Sequence, residues 1–275
     1  MFQVLPITTL DLPELQPYRT MRRQFEQRAA GIFVAEGEKV VRRLLESRFR
    51  VVSVLLPESW CRKLEPLLAA RPEAIRVFVA EKKLLESLTG FSMYQGLLAV
   101  GMVPPPPALA DLLAAAGRPH LLAAVDGLSS AENIGSLVRN CAAFNIQALL
   151  VGETCGSPFL RRAVRSSMGT VFQLPIVETA SLTETLDYLR TRGLRTIAAH
   201  PHADGQTLPQ ADFTKDCCVV FGSEGYGISP PVLAVCDDAA AIPMPPMVDS
   251  LNVGSAAAVF LYEANRQRGR MVPLR

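Results

Sequence analysis

The chain has 275 residues, 49% of them hydrophobic, and 28 Lys and Arg against 26 Asp and Glu, a formal net charge of +2. That length favours two domains over one, and no apolar run reaches the ~18 residues of a membrane span. The N-terminus lacks the basic start and apolar core of a signal peptide, so a cytoplasmic protein away from membranes is expected. Six cysteines at 61, 141, 155, 217, 218 and 236 form no CxxC pair and no metal-ligand spacing, the pattern of reduced, mostly buried thiols. Residues 1–103 carry 15 Lys and Arg against 11 Asp and Glu, whereas 104–275 carry 13 against 15. The asymmetry hints that the N-terminal half meets a polyanion.

In chain order, residues 18–28 read as a basic helical stretch, either an ordinary solvated face or an RNA contact through Arg22, Arg23 and Arg28. A strand at 32–35 follows, then a helix at 38–48 with Val40, Val41, Leu44 and Leu45 on one face. Strands at 51–56, 75–79 and 96–101 alternate with helices at 59–70 and 81–88, an α/β unit of about 100 residues. Nothing in it resembles a catalytic constellation, so residues 1–103 read as a binding module. Four consecutive prolines, Pro104 to Pro107, can join neither sheet nor helix and mark a stiff linker, which with a helical stretch up to Gly117 spans 104–117.

The second domain, 118–275, opens with a strand at 120–125. The helix after it begins near Asn133, which could cap it. Gly135 and Arg139 share one face of that helix. A strand at 147–151, a helix at 158–168 with Arg161, Arg162 and Arg165, a strand at 171–177, a helix at 181–192 and strands at 195–199 and 217–221 continue the alternation. Ser229-Pro230-Pro231 reads as a helix start, and a last helix runs from about Asn252 to Gln267.

Two loops stand out. Gly222, Gly225 and Gly227 let the first approach a ligand closely, and Ile242-Pro243-Met244 with Ser250-Leu251-Asn252-Val253 forms the second. Loops at strand ends would build a small-molecule pocket at the edge of an open parallel sheet. The glycine spacing is not a dinucleotide fingerprint, no phosphate-binding P-loop occurs, and the nucleophile elbow of hydrolases is missing a residue. His200-Pro201-His202 lacks partnering Cys or carboxylate residues, so no metal is expected. Glu224 could cap a turn or orient a neighbouring Arg or Asn.

Asn133-Ile-Gly135-x-x-x-Arg139, Phe221-Gly222-Ser223-Glu224-Gly225-x-Gly227, Ile242-Pro243-Met244 and Ser250-Leu251-Asn252-Val253 occur in order. Together they resemble the SpoU/TrmH-type RNA ribose methyltransferases of the SPOUT superfamily. Ser167-Met168-Gly169 is similar to the family's middle segment. Arg28-x-x-Gly31-x-Phe33-x-x-Glu36-Gly37 and Gln95-Gly96 resemble its N-terminal substrate-binding domain, itself related to ribosomal RNA-binding proteins. The resemblance implies an α/β fold whose C-terminal parallel sheet carries a deep trefoil knot, a homodimer through the C-terminal domain, and S-adenosylmethionine as cofactor. By motif, Gly222, Ser223, Gly225, Ile242, Met244 and Leu251 would contact the cofactor. Arg139 would activate the ribose hydroxyl, as base or as phosphate clamp. Asn133, Glu224, Ser250 and Asn252 would orient it and the nucleotide, and Arg161, Arg162 and Arg165 would meet RNA phosphates. Departures are Asn145 and Gly254, where glycine and serine are usual, and Pro245-Pro246 in the second loop. The expected activity is 2′-O-methylation of RNA, ribosomal rather than transfer RNA. The rivals are a non-catalytic RNA-binding or ribosome-assembly factor and, less strongly, a base methyltransferase.

Overall fold

A computed structural model of the chain describes residues 2–89, 96–201 and 206–269. It divides into two compact units, one formed by Met1–Pro105 with Phe159–Gln173 and the other by Pro106–Pro158 with Leu174–Arg275.

The first unit contains β1 (Phe2–Pro6), α1 (Gln16–Arg19), α2 (Gln24–Ala29), β2 (Ile32–Glu36), α3 (Glu38–Glu46), β3 (Val51–Leu56), α4 (Glu58–Ala69), β4 (Ile75–Val79), α5 (Lys82–Thr89) and β5 (Leu98–Met102). The strands form one sheet in the order β1-β4-β3-β5-β2, with β5 antiparallel to both neighbours. The basic stretch at 18–28 is not one helix. The Thr20 hydroxyl donates back to the Gln16 carbonyl at 3.0 Å, the chain turns, and Met21 enters the core. Tyr18 is fully buried with its hydroxyl 2.8 Å from the Ser53 hydroxyl. Strand β1 went unanticipated because its half-exposed residues end in a proline and show no clean alternation. Gln95, part of the family resemblance, lies outside the described residues.

After the prolines come α6 (Leu109–Ala115), β6 (Leu121–Val125), α7 (Ala131–Ala143) and β7 (Leu149–Val151). Helix α8 (Arg161–Ser166) leads to β8 (Ile176–Glu178), α9 (Leu182–Thr191), β9 (Arg195–Ala199), β10 (Cys217–Phe221), α10 (Pro230–Ala234), β11 (Asp238–Ala240) and α11 (Val253–Gln267). The second unit's sheet is wholly parallel, ordered β11-β9-β10-β6-β7-β8. Strands β6 and β10 are buried along their whole length, as a sheet covered on both faces requires. Their apolar side chains pack with Leu182, Leu186 and Leu189 of α9. Of the cysteines, 141, 217 and 218 are buried, and burial pushes all three thiols up, leaving them protonated near neutral pH.

Segment 159–173, expected inside the second domain, packs with the first unit instead. The Phe33 ring stacks on Phe172 at 5.4 Å and lies 5.9 Å from Phe159. Gly101 makes room for that ring, since a Cβ there would fall 2.4 Å from it. Glu36 is ion-paired with Arg161, and with Arg165 at 3.0 Å, while Arg43 donates to the Met168 carbonyl at 2.6 Å. The strand expected at 171–177 is a 3-10 turn at Thr170–Phe172 followed by the short β8. Left-handed Met168 and Gly169 turn the chain, and Val171 and Phe172 after them are buried, with Phe172 in the aromatic cluster.

Removing one member of a nearly buried ion pair strands the other charge. Glu36 is 7% exposed and Arg161 14%, whereas Arg165 stays half in water. The expected cost of Glu36→Ala is therefore about 2 kcal/mol, read as a lower urea midpoint for the first unfolding transition. An unchanged midpoint would show that the aromatic cluster alone holds the segment.

Candidate active site

Register places the loops of the second unit together. Phe221 pairs with Val125, Val220 with Ala198 and Ala199 with Ala240, so β6, β9, β10 and β11 end level at their carboxyl edge. A cavity of about 510 Å³ opens there, within the range of small-ligand pockets. It is lined by the loop from Gly222 to Gly227, by Ile242, Met244, Ser250 and Leu251, and by Phe221 and Phe260. Those two rings meet edge to face at 5.9 Å.

The first loop is rigid for steric and hydrogen-bonding reasons. Ser223 N–H donates to the Gly227 carbonyl at 2.9 Å, and Gly227 N–H donates back to the Ser223 carbonyl at 3.0 Å. A Cβ on Gly222 would lie 2.1 Å from the Gly227 carbonyl carbon, so only glycine lets the loop fold back on itself. Buried Asp126, after β6, accepts from Ser229 N–H at 2.7 Å and fixes where the loop ends.

Asn252 joins the three motifs. Its carboxamide oxygen accepts from Gly254 N–H at 2.9 Å and caps α11, while its nitrogen donates to Asn133 Oδ1 at 3.1 Å and to Glu224 Oε1 at 2.5 Å. Helices α7 and α11 meet closely enough that a Cβ on Gly254 would sit 3.0 Å from Ser136 Cβ. Asn140 Nδ2 donates to the Gly254 carbonyl across that contact. The expected helix start at Asn133 is corrected: α7 begins at Ala131, and the Ser130 hydroxyl accepts from Asn133 N–H at 3.4 Å. A preceding serine leaves the Asn133 side chain free to reach Asn252.

The structure therefore brings Asn133, Glu224 and Asn252 into one hydrogen-bonded group and sets Gly222, Ser223, Gly225, Ile242, Met244, Ser250 and Leu251 around the cavity. Arg139 is exposed on α7, does not line the cavity, and makes no hydrogen bond or ion pair among the described residues. Arg161 and Arg165 are committed to Glu36. Arg162 is exposed on the same helix, and Arg22, Arg23 and Arg28 are exposed around α2, where Arg23 pairs with Glu26 at 3.0 Å. His200 lines the cavity; His202 lies outside the described residues, among which no group could hold a metal. Sequence reasoning passed over Tyr226, Asp249 and Phe260 in the lining. The first two are ordinary loop residues by type, and Phe260 reads as helix core.

Residues 120–262 match the SpoU rRNA methylase family. A Mycobacterium tuberculosis protein named as a tRNA/rRNA methyltransferase, itself uncharacterised, is 31% identical over 270 residues, 96% of this chain and 92% of its own. The SpoU methyltransferase AviRb from Streptomyces viridochromogenes, solved in complex with AdoMet, is similar at a TM-score of 0.81 and 26% identity, covering 94% of this chain and 98% of that one. A solved RNA 2′-O ribose methyltransferase gives a TM-score of 0.77 at 26% identity, covering 96% and 99%. Fold, site and relatives define the class as RNA methyltransferases whose members bind S-adenosylmethionine. The chain belongs to the SpoU rRNA methylase family.

A methyl group at residue 222 has nowhere to go without opening the loop. Gly222→Ala is expected to lose cofactor affinity by about tenfold or more while keeping the far-ultraviolet signature of the fold. Calorimetric titration with S-adenosylmethionine checks this, and wild-type affinity in the variant would contradict the loop's role as a cavity wall.

Proposed function

We propose that the chain is an S-adenosylmethionine-dependent RNA methyltransferase that modifies a ribose 2′-hydroxyl, with ribosomal RNA as substrate. The observation that carries this reading is the junction of Asn133, Glu224 and Asn252 beside a cavity walled by Gly222, Ile242 and Leu251. Apolar side chains and backbone edges suit an adenine and its ribose, and the carboxylates of Glu224 and Asp249 at the lining suit a cofactor of net positive charge. When bound, S-adenosylmethionine supplies a methyl group on a sulfonium, transferable to a ribose oxygen.

The chain's own residues must then hold and activate a poor nucleophile. A guanidinium presents a planar fork of donors that matches a phosphate bidentately, so of the two roles expected for Arg139 the clamp is favoured. It holds the neighbouring phosphate and stabilises charge developing on the ribose oxygen. Its exposure, and the lack of a protein partner among the described residues, support a role completed by RNA. Asn133 and Ser250 supply hydrogen bonds to the nucleotide, with Asn133 and Glu224 both held by Asn252. The positive balance of residues 1–103, with exposed Arg22, Arg23 and Arg28, supports a substrate-binding role for the first unit. Exposed Arg162 is a further candidate for phosphate contact. Choice of ribosomal over transfer RNA rests on the family match and on that added unit.

Two architectural features belong to the same reading. The C-terminal segment carries the family's trefoil knot, supported by the insertion of β10 between β9 and β6 and the return of α11 onto α7. The chain works as a homodimer, supported by exposed Val259 and Tyr262 on one face of α11, an apolar stripe that a second copy would cover.

Arg139→Ala is expected to reduce labelled methyl transfer to RNA by about a hundredfold or more, with cofactor affinity unchanged by calorimetry. Equal turnover would remove Arg139 from the mechanism. Tyr262→Asp is expected to shift the protein from dimer to monomer in sedimentation velocity at micromolar concentration. A wild-type monomer there would contradict the dimer.

A further inference from the structure

We propose that Tyr226 receives the target nucleotide, stacking its ring on the base whose ribose enters the site. The inference rests on the RNA reading above and extends it to the position that the second motif leaves unspecified. Tyr226 is 97% exposed, whereas Tyr18 is wholly buried in the core of the first unit. It sits in the loop that lines the cavity, two residues after Glu224, whose carboxylate is tied to Asn252.

That exposure is not the exposure of a loose loop. The backbone on either side is closed by the paired hydrogen bonds between Ser223 and Gly227, and Tyr226 N–H donates to the Ser223 hydroxyl at 3.3 Å. At the base of the loop Gly222 permits the backbone to close on Gly227, where a Cβ would clash. The ring is thus presented to solvent on a fixed platform at the mouth of the cavity, and its hydroxyl has no hydrogen-bond partner among the described residues.

A duplex displays its 2′-hydroxyls along the wall of a shallow minor groove, so setting one of them into a recessed cavity favours a nucleotide that has left the helical stack. Leaving the stack removes the base from its neighbours, and proteins recover part of that loss with an aromatic side chain against the exposed base face. A rigidly mounted ring beside the polar group that orients the ribose meets this requirement. Stacking depends on the ring and not on the hydroxyl, so phenylalanine should serve as well as tyrosine.

The test compares wild type with Tyr226→Ala, Tyr226→Leu and Tyr226→Phe, using labelled methyl transfer to total RNA and to isolated ribosomal subunits. The Ala and Leu variants are expected to raise the KM for RNA about tenfold, with RNA affinity measured without cofactor falling in parallel, while Tyr226→Phe restores both. Calorimetric affinity for S-adenosylmethionine and the sedimentation coefficient should not move in any variant. An unchanged KM in Tyr226→Ala overturns the proposal. So does a parallel loss of cofactor affinity, which would make the ring part of the cofactor wall, or a shift to monomer, which would make it a subunit contact. A Leu variant equal to wild type, or a Phe variant as damaged as Ala, would also overturn it. Wild-type protein that labels no RNA removes the RNA reading and Tyr226 with it, whereas a labelling wild type beside a normal Tyr226→Ala removes Tyr226 alone.

Discussion

One carboxamide joins what the rest of the site depends on. Asn252 offers both an acceptor and two donor hydrogens, and all are used by different parts of the chain: the acceptor by the first turn of α11, the donors by α7 and by the loop after β10. Aspartate would keep the cap but set a second negative charge against Glu224. Alanine would leave Asn133 and Glu224 without a common anchor. Because the amide is exposed, its contribution to global stability is modest, on the order of the ~1 kcal/mol of a helix cap. Its larger consequence is geometric, since polar groups that must meet a substrate act best when held in place beforehand.

The second constraint is the parallel sheet. Level strand ends force the loops after β9, β10 and β11 to share one edge, and β10 enters between β9 and β6 late in the chain. A crowded edge leaves little room, which is why glycine is required where loop meets loop or helix meets helix. At Gly222 the constraint is a backbone contact within its own loop. At Gly254 it is the approach of α11 to Ser136 of α7. The second position explains why the glycine there, a departure from the serine usual in the family, is compatible with close packing.

Much of the α/β alternation was legible because it is local. Buried strands such as 217–221 are continuous apolar runs, and α3 shows its core face at helical spacing. The motif residues around the cavity were legible through family resemblance rather than periodicity. What escaped was set by distant partners. Arg161 and Arg165 read as phosphate contacts because their counter-charge, Glu36, lies more than a hundred residues away in sequence. Phe159 and Phe172 likewise find their partners, Phe33 and Phe49, across the chain, so segment 159–173 could not be assigned to the first unit from local pattern. Asn133 and Ser130 are both good caps by type, and only the observed helix start separates them. The turn at Thr20–Arg23 needed knowledge that Met21 is buried.

Where the chain leaves apolar side chains in water is informative in the same way. Among the described residues, eight large hydrophobics are exposed, and six of them, Tyr226, Met247, Val248, Leu251, Val259 and Tyr262, fall between the loop after β10 and the last helix. Scattered exposure would need no explanation. Concentration in the segment that also builds the cavity does, because the same chain buries its core residues almost completely elsewhere. The segment divides by stiffness and position: Tyr226 projects from a loop closed by its own hydrogen bonds, while Val259 and Tyr262 share a face of a long helix capped by Asn252. A surface fixed in shape and left apolar is suited to being covered by another molecule with little further ordering cost. The helix face fits a flat, repeated partner, and the single ring at the cavity mouth fits a planar one.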